Sequence, residues 1–299
     1  MVKKRPMSIN VSYAKGTILI VALFIITLIE IIIVGLATYH RVSVHHSKNF
    51  YDALEATNLC LAGEDWARMR IIKSFKNNEN MTQDTLSNLT LKNGTINGQV
   101  TDAQGQLNIN NLINANMQDG FKNFLTNVLG ANEKTESFVS IIQNQVNDFE
   151  NHQAADLSLV PFSSITELRT LPGMNQELFL KLSPHISALP EVTALNINSA
   201  TNYSLLSLSP KITLDTAKAI ISIRDNMHGF SSVDTFFALE PLAEIEASPD
   251  AVTVQSQYFI STMTVHYQAI DLTLNSLIKV NKRDNGIDTM VIWRSFGTL

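Results

Sequence analysis

Cysteine is nearly absent from this chain, which has one, Cys60, among 299 residues. One cysteine cannot form a disulfide within the chain. Its position in sequence of helical character favours a small buried apolar residue over a reactive thiol. Charged residues are also few, at 16%, and the formal net charge of −5 is unremarkable. The composition alone therefore singles out no class of partner.

Recognisable catalytic motifs are missing as well. We find no nucleophile–base arrangement, no phosphate loop and no nucleotide fingerprint. His45 and His46 are adjacent, so on a helix their side chains point about 100° apart. Four further histidines are isolated, without the spacing of zinc ligands: His152, His185, His228 and His266. The sequence predicts a protein that is not an enzyme; a membrane-anchored hydrolase is an alternative that no motif supports.

A long apolar run, Thr17–Tyr39, stands out near the N-terminus. At ~1.5 Å per residue it forms a helix of about 35 Å, which spans a hydrocarbon core of ~30 Å. The leader before it, residues 1–16, has no acidic residue and four basic ones: Lys3, Lys4, Arg5 and Lys15. These charges predict a single-pass transmembrane helix over 17–40, with a cytoplasmic N-terminus and the bulk of the chain across the membrane.

The leader admits three interpretations. A secretory signal peptide has a shorter apolar core, roughly 7–15 residues, and a small-x-small cleavage site, which does not occur here before Arg41. A plain membrane anchor is the second interpretation. The third is that a basic leader ending in Gly16 directly before the apolar helix resembles the prepilin class of signal. That resemblance implies that prepilin peptidase cuts between Gly16 and Thr17 and that the helix is kept. Thr17 departs from the aromatic residue or Met usual after the cut, which leaves N-methylation open.

Most prepilins have Glu at the fifth mature position, where it neutralises the N-terminal ammonium of a neighbouring subunit. The corresponding residue here is Val21. Because an unpaired buried charge is costly, a subunit without this Glu does not need that neighbour, which suits the end of a filament. Glu30 lies ~20 Å further along the helix and is either protonated, snorkelling or in contact with a partner helix. We expect four residues to contact neighbouring helices: Leu19, Ala22, Leu23 and Ile26.

Past the membrane, the helix is predicted to continue to about Lys76. Six residues recur at steps of three and four and predict its buried stripe: Tyr51, Leu54, Asn58, Ala62, Trp66 and Met69. Strand patterns follow in two places, with a hairpin turn at Asn93–Gly94, a third strand at Leu107–Asn110 and a β-rich C-terminus. We therefore predict a pilin-like helix with its first strands over 41–110 and the last strands over 248–299.

Residues 111–247 show helical periods and few strand signals, which predicts an inserted α-helical domain. Two of its segments, starting at Ile165 and Leu195, resemble the helix-hairpin-helix unit of DNA-binding proteins. Residues 111–245 carry 7 basic and 14 acidic side chains, and DNA affinity comes largely from cations. The charge therefore argues against nucleic acid as a partner and favours a packing role for both segments.

Six features in order resemble the minor pseudopilin K family of type II secretion: the leader ending in Gly16, a helix without the fifth-position Glu, Leu107–Leu112 (LNINNL), Glu167–Met174 (ELRTLPGM), Leu195–Ala200 (LNINSA) and Ser256–Phe259 (SQYF). The resemblance implies an α+β pseudopilin fold, a long N-terminal transmembrane helix packed on an antiparallel sheet, with a large inserted all-α domain. The resemblance also implies a structural subunit in the bacterial inner membrane, with the bulk of the chain in the periplasm. The subunit would form a heterotrimeric tip complex with minor pseudopilins I and J and work with an inner-membrane secretion platform.

The family includes calcium-binding members, and calcium requires oxygen-rich loops. Candidate ligands are Asp102, Asp284, Asn285 and Asp288, although we favour ordinary turn chemistry as the reason for Asp and Asn at such positions. Two alternative functions also stay open. One is a minor pilin of a type IV pilus, and the other is a membrane-anchored DNA-uptake receptor.

Overall fold

Two compact units make up the chain, Met1–Glu55 and Ala56–Leu299. The computed structural model describes residues 12–91, 94–131, 133–152, 161–242, 248–283 and 286–297. Helix α1, Ser12–Lys76, passes through both units and begins upstream of the predicted start at Thr17. Its last turn carries Lys73 and Lys76, whose charges are favourable beside the partial negative charge of a helix C-terminus.

Nine strands occur in the described part of the chain: β1 (Gln83–Leu91), β2 (Gly94–Asp102), β3 (Leu107–Asn108), β4 (Ile186–Ser187), β5 (Leu195–Asn196), β6 (Val252–Thr253), β7 (Tyr258–Tyr267), β8 (Ile270–Arg283) and β9 (Gly286–Phe296). Five of them form an antiparallel sheet in the order β1-β2-β7-β8-β9. The N-terminal hairpin and the three C-terminal strands thus meet at β2 and β7, and the predicted α+β fold with one antiparallel sheet is confirmed.

The predicted third strand at Leu107–Asn110 is wrong. Only Leu107 and Asn108 are extended, and they pair in parallel with Ile186–Ser187 rather than with the five-stranded sheet. The side-chain Oδ1 of Asn108 accepts a hydrogen bond from the backbone N–H of Asn110 at 3.2 Å. This local bond competes with strand pairing and turns the chain into a short 3₁₀ helix.

The sheet packs against small residues of α1. Ala56, Cys60 and Ala67 are fully buried, and Ile71 and Phe75 extend the same face. The predicted stripe from Tyr51 to Met69 is therefore wrong, because most of its members lie on the exposed face. Small side chains let the helix approach the sheet closely. From Ala56 to Ala67 the buried face is built of small residues, and large apolar side chains appear on it only at Ile71 and Phe75.

Glu64 joins α1 to the strands β8 and β9. Its side chain is 2% exposed. One carboxylate oxygen accepts hydrogen bonds from Ser276 Oγ at 2.5 Å and Arg294 Nε at 2.8 Å, and the other accepts from Arg294 Nη2 at 2.7 Å. Burial acts to raise the pKa of Glu64, but these hydrogen bonds and the charges of Arg294 and Arg68 together lower it. Glu64 is thus held as a buried, fully paired carboxylate.

Among the described residues between β3 and β6 there are six helices: α2 (Gln118–Leu129), α3 (Glu133–His152), α4 (Gln176–Leu182), α5 (Asn202–Leu206), α6 (Leu214–Asn226) and α7 (Val233–Phe237). Together with the short strands and 3₁₀ turns around them they enclose one hydrophobic cluster, centred on buried aromatic residues such as Phe121, Phe124 and Phe236. The division at 111–247 into a separate inserted domain stays a prediction.

The sequence Leu-Asn-Ile-Asn occurs twice and builds the same structure each time, at Leu107–Asn110 and Leu195–Asn198. The first Asn of each copy accepts from the backbone N–H of the second. The second Asn binds the main chain of a phenylalanine, donating to its carbonyl and accepting from its N–H. The pairs are Asn110 with Phe162, at 2.8 and 2.9 Å, and Asn198 with Phe230, at 3.0 and 2.7 Å.

Each of these phenylalanines starts the sequence Phe-Ser-Ser, and the second serine caps the helix that follows. Ser164 accepts from the backbone N–H of Thr166, and Ser232 from that of Thr235. In both copies the strand formed by the first two residues pairs in parallel with a later strand. The helical region therefore contains an internal structural repeat organised by buried asparagines.

Replacing Glu64 by Ala should lower the free energy of unfolding by about 2–3 kcal/mol, because breaking a buried ion pair is costly and Arg294 recovers some solvation at the surface. Denaturant unfolding of the full chain, followed by tryptophan fluorescence, measures this loss.

The stabilisation by Glu64 should also depend on pH. Since the folded pKa of Glu64 is lowered, its contribution to the free energy of unfolding is present above the ordinary value of 4.5 and is lost as the pH falls through the folded pKa. Asp65→Ala is the matched control: its side chain is 67% exposed, so the loss should stay below ~0.5 kcal/mol. Equal losses would contradict the role given to Glu64.

Replacing Asn110 by Asp should destabilise the chain by at least ~2 kcal/mol at neutral pH. A carboxylate cannot donate to the carbonyls of Phe162 and Leu189, which Asn110 Nδ2 reaches at 2.8 Å each. Near-UV circular dichroism during denaturant unfolding reports the loss. Asn114→Asp, at an exposed position, should change stability by less than ~0.5 kcal/mol. A tolerated Asn110→Asp would show that these bonds do not hold the turn.

Candidate functional site

The first part of α1 is apolar on all sides. Within the described residues, it is the one helix long and apolar enough to cross a membrane, and its apolar segment is not buried against the rest of the chain. A helix that is hydrophobic all round is covered by lipid or by other helices. The chain therefore has a single candidate membrane anchor in its described part.

The sequence-predicted residues of this segment all lie on α1 and are exposed. The side chains of Leu19, Val21, Leu23 and Ile26 are between 52% and 70% exposed, and Ala22 and Glu30 are exposed too. Their exposure leaves them available to lipid or to neighbouring helices. That they contact other subunits stays a prediction.

Gly16 and Thr17, the predicted processing residues, lie inside α1. Because the helix begins at Ser12, the backbone is already helical where the leader would be cut. Val21 follows Thr17 by about one turn, and Glu30 lies further along the apolar segment. Cleavage between Gly16 and Thr17 stays a prediction.

The face of α1 opposite the sheet is a second candidate surface. In the second unit it runs through Asn58, Ala62, Asp65 and Met69, all exposed. Met69 is 64% exposed although it is apolar. A helix face that combines small, apolar and few charged residues is suited to packing against another helix. We refer to these four residues as the outer face of α1.

Asp102, a predicted calcium ligand, is buried among hydrogen-bond donors. One carboxylate oxygen accepts from the backbone N–H of Gln104 at 2.8 Å, and the other accepts from Asn196 Nδ2 at 2.7 Å and from the Ser199 hydroxyl. Burial raises the pKa of Asp102 despite these donors and the nearby Ser256. Since both oxygens are occupied by donors, Asp102 does not fit the coordination of a cation; it links the repeat at Leu195–Asn198 to the end of β2.

The other calcium candidates are not brought to Asp102. Asp288 is exposed on β9, where its carboxylate accepts from the backbone N–H of Thr289 at 2.7 Å and lies 3.7 Å from Arg283. Asp284 and Asn285 fall outside the described residues. Across the described ranges, no group of three or more His, Cys, Asp and Glu side chains could hold a metal ion. A calcium site at 284–288 stays a prediction.

Cys60 is the one thiol of the chain, and it lies against the sheet. Burial raises its pKa to about 11, so the thiol is protonated at neutral pH and a weak nucleophile. This agrees with the interpretation of Cys60 as a small packing residue.

Sequence reasoning missed Glu64, which joins α1 to the sheet, and the asparagine turns, which organise the helical region. Glu64 had no signal of its own, because its partners lie more than 200 residues away in sequence. The asparagine turns did have one: Leu-Asn-Ile-Asn and Phe-Ser-Ser each occur twice in the same order.

Comparison with known proteins adds independent information. The chain is 24% identical over 238 residues to "Type II secretion system protein K" of Pectobacterium carotovorum subsp. carotovorum, covering 68% of this chain and 70% of that protein. It is 23% identical over 256 residues to the protein of the same name from Pseudomonas aeruginosa, covering 74% and 75%. No protein-family model matches the chain.

A solved structure shares the fold. A chain of the GspK-GspI-GspJ complex of the enterotoxigenic Escherichia coli type 2 secretion system superposes with a TM-score of 0.64 at 20% identity, covering 85% of this chain and all of that one. At this identity the match establishes the pseudopilin fold, while the two relatives carry the resemblance to protein K. Together they confirm the resemblance of the chain to the type II secretion system protein K family.

Proposed function

We propose that this chain is a structural minor pseudopilin at the tip of a type II secretion pseudopilus, where it initiates or caps the filament and has no catalytic role. The observation that carries the proposal is the match to two protein K relatives over about 70% or more of their length. The shared fold with the chain from the GspK-GspI-GspJ complex supports it.

The proposed location is the bacterial inner membrane, with the N-terminus in the cytoplasm and the second unit in the periplasm. Four basic and no acidic residues precede the apolar run, and an excess of Lys and Arg marks the cytoplasmic side of a membrane helix. Prepilin peptidase would remove residues 1–16 and leave the apolar helix as the assembly element.

The proposed partners are minor pseudopilins I and J. The outer face of α1 supports this choice, because it exposes Ala62 and Met69 on the side of the helix that the sheet leaves uncovered. A small residue followed two turns later by a flexible apolar one permits close helix–helix packing. Partner helices on this face would join the three subunits side by side.

Val21 supports a place at the end of the filament. In most prepilins a Glu at this position pairs with the N-terminal ammonium of a neighbouring subunit inside the apolar filament core. An apolar residue such as Val21 cannot form this pair. The bulk of the helical region, 111–247, would block a further subunit from stacking above.

Calcium, if bound by Asp284, Asn285 and Asp288, would act on the β8–β9 turn alone.

The outer face of α1 can be tested by charge. Met69→Glu together with Ala62→Glu should reduce co-purification of the full chain with pseudopilins I and J at least tenfold, because two carboxylates would be buried without partners. Both positions are exposed, so the thermal unfolding temperature should stay unchanged. Ala219→Glu on the exposed side of α6 is the control and should leave the complex intact. Normal recovery of the double variant would show that another surface holds the partners.

Processing gives an independent test. The mature protein in cells should have lost residues 1–16, as measured by intact mass. A side chain at the cut should hinder the peptidase, so Gly16→Leu should accumulate as the uncut chain, while Ser8→Leu in the same leader should be cut normally. Loss of about 40 residues would instead identify an ordinary exported protein and would refute the assembly role of the helix.

A further inference from the structure

A cavity of about 260 Å³ lies in the second unit between the sheet and the segment around β4. The sheet contributes Ile260, Leu277 and Trp293, and the opposite wall contains Ile186 and Leu189. This volume exceeds the ~150 Å³ cavity that accommodates benzene. It is large enough for an aromatic or branched aliphatic group with a few polar atoms.

Two polar atoms of the wall have no hydrogen-bond partner among the described residues, namely Ser187 Oγ and Trp293 Nε1. Ser187 is 2% exposed, so its hydroxyl is not solvated at the surface. Leaving a buried polar atom without a partner is costly, and most such atoms in native proteins have one. The indole N–H can only donate and the hydroxyl can donate, so the missing partner is an acceptor.

The lining of the cavity favours an uncharged hydrogen-bond acceptor. None of the described residues that line the cavity carries a charge. A carboxylate or phosphate would be desolvated there without a cation to pair with, which is costly. A neutral carbonyl, as in an amide, satisfies both donors without that cost.

The walls are fixed by polar contacts on either side. Glu191 accepts from Tyr258 Oη at 2.6 Å and from Lys279 Nζ at 2.7 Å, which ties the chain after β4 to β7 and β8. Asn110 Nδ2 donates to the Leu189 carbonyl at 2.8 Å. At the rim, Pro184 is exposed and accepts from Gln106 Nε2 at 3.0 Å. The cavity is thus held open before any ligand arrives, which lowers the entropic cost of binding.

We propose that this cavity binds a small uncharged molecule that combines an aromatic or branched apolar group with an amide carbonyl. The apolar group contacts Ile186, Leu189 and Leu277. The carbonyl oxygen accepts from both Trp293 Nε1 and Ser187 Oγ. This site is separate from the outer face of α1 and does not depend on the proposed function.

Tryptophan fluorescence gives a direct test. The chain has two tryptophans, so Trp66→Phe leaves Trp293 as the reporter. The full chain in lipid nanodiscs is titrated with N-acetyl-L-phenylalaninamide, with empty nanodiscs as the blank. We expect a saturable shift of the emission, and at least tenfold weaker binding of N-acetyl-L-phenylalanine, which carries a carboxylate. A linear response, or equal binding of both probes, would overturn the proposal and leave water as the occupant.

Variants locate the binding. Ala188→Phe fills the cavity and should abolish the saturable shift, whereas Ala219→Phe on exposed α6 should leave it unchanged. Ser187→Ala removes an unpaired hydroxyl, so the unfolding temperature should hold or rise while probe affinity falls about tenfold, or ~1.4 kcal/mol. An unchanged shift in Ala188→Phe, or unchanged affinity in Ser187→Ala, would show that the probe binds elsewhere or without these donors.

Discussion

The close contact between α1 and the sheet is the constraint on which the second unit depends. Ala56, Cys60 and Ala67 bring the helix backbone near the strands. In the same interface Glu64 accepts a hydrogen bond from Ser276 on β8 and forms an ion pair with Arg294 on β9. Apolar burial is not directional, whereas the paired carboxylate fixes one position of the helix along the sheet. The same contact decides which side of α1 is left for partners.

Buried asparagines play the corresponding role in the helical region. A primary amide both donates and accepts, so Asn110 and Asn198 each satisfy the two main-chain groups of one phenylalanine and a further carbonyl. Hydrophobic packing alone would tolerate many arrangements of short helices. The two asparagines fix the arrangement by linking segments that are distant in sequence. The walls of the cavity beside β4 depend on one of these links.

Local patterns predicted the sheet well and the helix face poorly. The C-terminal strands lie where the sequence predicts a β-rich segment, because alternation and turn residues are local signals. The predicted stripe on α1 lies on the wrong side of the helix. Between Ala56 and Ala67 the buried face consists of small residues, so large apolar side chains do not recur there at helical spacing. The strand at Leu107–Asn110 failed because an asparagine side chain replaced the pairing of the backbone. The apolar segment was readable from the sequence, but Glu64, Asp102 and the cavity depend on partners that come together only in the fold.

One helix carries two surfaces of different chemistry, and its sequence explains how. From Thr17 to Tyr39 the residues are apolar on every side except at Glu30, so lipid constrains the orientation about the helix axis at that residue alone. From Ala56 onward, small residues and Glu64 occupy one side and Ala62 and Met69 the other, so only one orientation serves the sheet. A charge introduced at Val21 would meet lipid or a neighbouring helix, whereas a charge introduced at Ala67 would meet the sheet of the same chain. The first change therefore tests the proposed assembly role of α1 without disturbing its contact with the sheet.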